Sequence, residues 1–287
     1  MSSHLASAVN SPVPDRRFIF TITTGRSGTH FLAELFASNL DKAQVLDEQL
    51  AYSDWGVNSP DVSHLTTFNH VGNSSHVRAF WCQKFARLKA LDVRYFAEMS
   101  HVLAKAGLVE NLDQLQGAGV VHLIYLKRDI AKTVISFINR ADFLNMGNMW
   151  LWYLDLAYPN VIVAAKPFVS LGQVGFALWY ILEMRVRAEY YRLLLAERAG
   201  IVFHEVDLED VVRIEGATKL LAGLGMDLTP AAIRMPGQVN ANPVSGIDES
   251  AQRYIREVVG SFTFDAAELA RAWYEQGYRL SRLPEDR

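Results

Sequence analysis

Short apolar runs in this chain alternate with segments whose apolar residues recur at helical spacing. Arg17-Phe-Ile-Phe-Thr-Ile-Thr23 is β-rich and has the length of a buried strand. After Thr24-Gly-Arg-Ser-Gly-Thr29 a helical spacing begins in Phe31, Leu32, Leu35 and Phe36. Val120–Leu126 is a second strand run, leading through Lys127-Arg128-Asp129 into a helix that reaches Phe137. Ile201–Val206 is a third, followed by an acidic turn and a helix near Gly216–Leu224. Helical spacing also covers Val77–Leu91, Tyr95–Leu112, the second half of the aromatic-rich Phe143–Leu195, and Glu249–Leu280. The polar stretch Asp54–Ser75 predicts a long surface excursion, and the Ser-, Pro- and Asn-rich residues 1–15 a flexible lead-in. Strands alternating with helices predict a single α/β domain over residues 16–287, a central parallel β-sheet flanked by helices.

Composition narrows the class. A chain of 287 residues, half of them hydrophobic and 21% charged, has the balance of a folded domain rather than a disordered one. No run approaches the ~20 apolar residues of a membrane span, and no basic, then apolar, leader opens the chain. The single cysteine, Cys82, excludes an internal disulfide, so a reducing, cytoplasmic location is expected. A net charge of -3 argues against a broad nucleic-acid surface, and any anionic ligand has to be gripped locally by a few groups.

Two places suit such a grip. A strand, a glycine-bearing turn and a helix start aim several backbone N–H groups at one spot, where the helix adds partial positive charge. At Thr24–Thr29, Arg26 contributes a fixed cation and Ser27 and Thr29 contribute hydroxyls. The Walker A pattern cannot be written over this turn, and an ordinary βα turn with a surface arginine is the plainer alternative. Arg128 follows the second strand at the edge where ligands bind in open α/β sheets. Ser136 lies eight residues on, about two helical turns, hence on nearly the same face. The plainer alternative there is a helix-start ion pair and a packed hydroxyl.

Thr24-Gly-Arg-Ser-Gly-Thr-His30 resembles the 5′-phosphosulfate loop of the sulfotransferases, and Arg128-Asp-Ile-Ala-Lys-Thr-Val-Ile-Ser136 resembles their 3′-phosphate segment. The likeness extends to the acidic segment Phe203–Asp210 and to a helix bearing Trp179, Glu183 and Arg187, as in bacterial members. It runs in order from about residue 17 to 225. The resemblance implies a P-loop-like sulfotransferase fold, with 3′-phosphoadenosine 5′-phosphosulfate (PAPS) as sulfuryl donor and no metal. It further implies an acceptor hydroxyl on a carbohydrate, glycolipid or other small molecule. By motif position Arg26, Ser27, Gly28, Thr29 and His30 would hold the 5′ end, and Arg128 and Ser136 the 3′-phosphate. Many cytosolic members carry Lys where this chain has Arg26; an arginine cannot give up its proton at neutral pH, so its part would be neutralising charge on the leaving group.

An acceptor hydroxyl needs a general base. Glu48 lies 20 residues after Gly28, where carbohydrate-acting relatives place a glutamate, and His101 lies 27 residues before Arg128, near where cytosolic relatives place a histidine. Glu34, on the first helix, fits packing or an ion pair better. His64, His70 and His76 are six apart, which suits polar loop histidines rather than a metal site. Phe143, Trp150, Trp152, Tyr153 and Tyr158 fit either an acceptor pocket or a core, and Trp179 and Tyr180 a core. The loop 235–248 is a candidate cover for the nucleotide. An ATP-dependent kinase on a related loop, or a nucleotide-binding module without turnover, are the rival readings.

Overall fold

The structure, a computed structural model, describes residues 15–48, 59–144, 152–237 and 246–281. Five parallel strands form one sheet: β1 (Arg17–Ile22), β2 (Ala43–Asp47), β3 (Tyr95–Met99), β4 (Val120–Lys127) and β5 (Ile201–Asp207), in the order β2-β3-β1-β4-β5. The expected α/β architecture with a central parallel sheet is what the chain adopts. Apolar side chains alternate across β1. Phe18, Phe20 and Ile22 meet α2 (Val62–Val71), α3 (Ser75–Ala90), α4 (Ile130–Asn139) and α5 (Gly172–Leu195) on one face. Ile19 meets α1 (Thr29–Asn39) and α6 (Ile214–Gly223) on the other. The chain ends in α7 (Glu249–Ser261) and α8 (Ala266–Glu275) against the first face, α8 packing on α5. No helix of the described residues is long and apolar enough to cross a membrane.

The strand order decides where ligands can sit. The chain leaving β1 passes through α1 to β2 on one side of the sheet, whereas the chain leaving β4 passes to β5 on the other. Connections that depart in opposite directions from neighbouring strands leave a crevice outside the carboxyl ends of the pair. The register Ile22↔Tyr125 sets the turns after β1 and β4 side by side above that crevice.

Several elements differ from the sequence reading. Tyr95–Leu112 is not a helix: Tyr95–Met99 is the strand between β2 and β1, and 3-10 turns at Leu103–Ala106 and Val109–Leu115 follow. All five residues of β3 are buried, Glu98 included, because Lys84 of α3 meets its carboxylate at 2.8 Å. A strand covered on both faces shows no alternation, so Ala, Glu and Met there read as helix formers. β2 lies at the sheet edge, is half-buried throughout, and carries too weak a pattern to be read. Within the supposed surface excursion, Val62–Val71 is a helix with an Asp61 capping box, and it sinks Leu65 and Phe68 into the core. Residues 49–58 of that stretch, and 1–14 of the expected lead-in, lie outside the described residues.

Trp179, Glu183 and Arg187 of α5 turn out to be a buried brace. Arg187 is fully buried, with its Nε 2.7 Å from Glu183 Oε1, Nη1 2.8 Å from Asn69 Oδ1 and Nη2 3.1 Å from Asn160 Oδ1. Glu183 also accepts the N–H groups of Ile162 and Val163, and the Trp179 indole donates to the Val163 carbonyl. Removing one partner of such a pair strands the other charge in the interior, at a cost of about 3–5 kcal/mol. Arg187→Met is therefore expected to lower unfolding stability by that amount in a urea titration. A loss below about 1 kcal/mol would show that the pair is not the brace described.

Candidate active site

A cleft of about 950 Å³ opens over the carboxyl ends of the strands. One wall is the β1–α1 turn. Its backbone enters the left-handed region at Gly25 (φ 79°), Arg26 (φ 56°) and Gly28 (φ 96°). For an arginine that conformation costs about 1–2 kcal/mol, and left-handed residues in a turn are what backbone anion nests are built from. α1 begins with Gly28 as N-cap, without a side-chain cap or an acidic residue in its first turn. The helix start thus keeps its uncapped donors and its positive end for a ligand. Ser27, buried, shares a 2.9 Å hydrogen bond with the Thr24 hydroxyl and donates to the Gly25 carbonyl at 3.0 Å. Its hydroxyl braces the turn and leaves its backbone N–H as the group to offer.

The turn after β4 is stitched to this one. Arg128 Nη1 donates to the Arg26 carbonyl at 3.0 Å, and Arg26 Nε donates to the Ser136 hydroxyl of α4 at 3.1 Å. The two motifs read separately in the sequence therefore lie together. Among the described residues neither Arg26 nor Arg128 has a carboxylate within 4 Å. Arg140 lies just past α4 and also lines the cleft. Burial first, and then the charge of Arg140, push the Arg26 guanidinium below its ordinary range. Arg140 was missed in the sequence, although it lies four residues, one helical turn, after Ser136. Its partner Asp142, at 3.5 Å, is buried, and burial raises that carboxyl above the usual range.

The opposite wall holds both base candidates. Glu48 follows β2, with its N–H bonded to the Met99 carbonyl at 3.0 Å and its Oε1 accepting from Thr29 Oγ1 at 3.4 Å. Burial, with Asp47 second, raises its carboxyl above the ordinary value. His101 follows β3, only 8% exposed, with Nε2 4.0 Å from Glu48 Oε1. Burial foremost, then Lys105, Arg140 and Arg26, hold its imidazole well below the usual histidine range, so the ring is neutral. The two candidates are neighbours facing one space. His30 lies between Asp47 and Glu34, 3.2 Å from Glu34, and the hydrogen bond to Asp47 raises its pKa.

The aromatic segment divides. Trp179 and Tyr180 are core residues. Tyr153 stacks on Phe143 at 4.8 Å and on His101 at 5.9 Å and lines the cleft, a site role the sequence left open. Trp152 is half-buried, and Trp150 lies outside the described residues, as does 238–245 of the proposed covering loop. Pro236 and Gly237 reach the cleft from the near end of that loop. His64 and His70 belong to α2 and His76 to α3, so they are not loop histidines; His64 and His76 stack at 4.5 Å.

A side chain at Gly28 is poorly accommodated twice over. Its φ disfavours an L-residue, and an added Cβ would come within 2.4 Å of Leu208 Cδ1. Gly28→Ala is expected to cost about 1–2 kcal/mol of stability and to impair anion binding, read by denaturant unfolding and by phosphate-analogue titration. Wild-type values in both would remove the turn geometry from the account.

No protein-family model and no curated protein matches the chain. Among solved structures, the sulfotransferase domain from the curacin biosynthetic pathway aligns over 94% of this chain and 99% of that one, at 15% identity and TM-score 0.46. The sulfotransferase domain from the Synechococcus PCC 7002 olefin synthase aligns over 90% of this chain and 94% of that one, at 14% identity and TM-score 0.42. Both structural neighbours are sulfotransferase domains.

Proposed function

We propose that the chain is a sulfotransferase that moves the sulfuryl group of PAPS to an acceptor hydroxyl. The observation that carries this reading is the meeting, in one cleft, of Arg26, Arg128 and the uncapped start of α1 with Glu48 and His101 across from them. A multiply charged anion suits that arrangement of cations and helix start. Arg26 and the N–H groups of Ser27, Gly28, Thr29 and His30 would take the 5′ end, and Arg128 with Ser136 the 3′-phosphate. Both ends meet fixed cations with no carboxylate within 4 Å among the described residues, so binding breaks no close ion pair there.

Sulfuryl transfer depends chiefly on in-line alignment and on stabilising charge at the leaving oxygen. Arg26 supplies that charge without exchanging a proton. The acceptor hydroxyl enters from the side of Glu48 and His101, where its proton has a receiver. Tyr153, Phe31, Leu208 and Val212 give the cleft apolar surface for the body of the acceptor, a carbohydrate, glycolipid or other hydroxyl compound. The chain would work as a cytoplasmic enzyme without nucleic-acid partners.

The test is formation of 3′-phosphoadenosine 5′-phosphate (PAP) from PAPS across a panel of hydroxyl acceptors. Arg26→Ala is expected to lower kcat by about 10²-fold or more while weakening affinity for PAP less. Arg128→Ala is expected to weaken PAP binding by about 2–4 kcal/mol. Equal losses of rate and affinity in Arg26→Ala, or unchanged affinity in Arg128→Ala, would contradict the assigned roles. Phosphoryl transfer from Mg-ATP in place of sulfuryl transfer would contradict the function itself.

A further inference from the structure

Lys105 is a fully buried lysine that none of the roles above uses. It lies in the 3-10 turn Leu103–Ala106, four residues after His101. Its Nζ is 2.9 Å from His101 Nδ1 and 2.8 Å from the Tyr180 hydroxyl, and it also donates to the Trp152 carbonyl. The Trp152 carbonyl can only accept. The Tyr180 hydroxyl gives its proton to the Thr24 carbonyl at 2.9 Å, so toward Lys105 it too accepts. As an ammonium, Lys105 commits two of its three protons in this way and has the third for His101 Nδ1.

The other ring nitrogen looks the opposite way, with Nε2 4.0 Å from Glu48 Oε1. Arg26 and Arg140 add positive charge around the ring, and Tyr153 stacks on its face. A cation at Nδ1 and a carboxylate at Nε2 favour the same arrangement of one proton. The reverse tautomer would turn the Nε2 lone pair toward Glu48 and require Lys105 to be a neutral amine.

We propose that Lys105 is a positioning residue that holds His101 as a neutral imidazole protonated at Nε2, so that His101 donates into the cleft and Glu48 takes the proton of the acceptor hydroxyl. The assignment of the base rests on the sulfotransferase reading; the tautomer does not. In the transfer step the hydroxyl O–H breaks as the O–S bond forms, the proton passes to a Glu48 oxygen, and the leaving oxygen departs with the S–O electron pair. The raised carboxyl of Glu48 suits it to accept that proton. Burial foremost, opposed by the charge of Glu48 and helped by that of Arg187, holds Lys105 well below the usual lysine range and makes the arrangement titratable. Once Lys105 loses a proton it still donates to Trp152 and Tyr180, and its lone pair then accepts from Nδ1–H, which moves the His101 proton.

Nitrogen NMR of the isotope-labelled protein, free of ligand, reads this directly, with the His101 ring signals assigned by their loss in His101→Gln. The expected spectrum at pH 7 has Nε2 protonated and Nδ1 bare. Raising the pH is expected to transfer the ring proton to Nδ1, and Lys105→Met to abolish that transition and mix the two tautomers at pH 7. An Nδ1–H ring or an imidazolium at pH 7, or a ring proton that stays on Nε2 throughout the titration, overturns the proposal even when Lys105→Met does not fold. For the base, Glu48→Gln is expected to lose about 10²-fold or more in kcat together with the acid limb of the rate profile, which His101→Gln retains. The opposite pattern would make His101 the base. A wild-type protein that turns over no PAPS but shows the Nε2–H tautomer would sink the sulfotransferase reading and leave the role of Lys105 toward His101 standing.

Discussion

The parallel pairing of β1 with β4 joins two turns that are 102 residues apart in the chain by a single hydrogen bond, from the Arg128 guanidinium to the Arg26 carbonyl. The rest of the site depends on that bond. It closes on the carbonyl of Arg26, whose backbone is left-handed, and sets two guanidiniums at one crevice, neither with a carboxylate within 4 Å among the described residues. A protein interior tolerates such uncompensated charge poorly. The cations stay because the crevice opens outside the carboxyl ends of strands whose connections depart in opposite directions, where solvent or an anionic ligand can meet them.

A second layer holds this arrangement from behind. Tyr180 and Lys105 link the turn at Thr24 to His101 and to Trp152. Asn69 accepts from Arg187 and donates to the Lys105 carbonyl at 2.9 Å. The buried pair of α5 is thereby coupled through α2 to the segment that carries His101 and Lys105. Each member of the chain is hydrogen-bonded, which is what lets a network of buried charges rigidify a site rather than weaken it.

The two turns proposed to hold the anion were legible in the sequence because their signals are local: a strand run, glycines in a turn, an arginine, and a second arginine with a serine two helical turns on. β1, β4 and β5 were legible as continuous apolar runs for the same reason. What escaped was set by tertiary burial. β3 carries Glu98, and only the Lys84 contact across the core makes that residue compatible with a central strand. Losing β3 hid the fact that His101 sits at a strand end, and losing β2 hid the same of Glu48, so two neighbours were read as separate alternatives. Lys105 gave no signal, since its meaning lies in partners 47 and 75 residues away. Arg140 gave a weak one, its one-turn spacing from Ser136.

Calorimetric titration with PAP, repeated in EDTA and set against ATP with Mg²⁺, asks directly whether the two turns form one site for a doubly phosphorylated nucleotide. The account predicts tight binding of PAP that EDTA leaves unchanged and weak binding of Mg-ATP. A preference for Mg-ATP, or no heat from PAP, would contradict it.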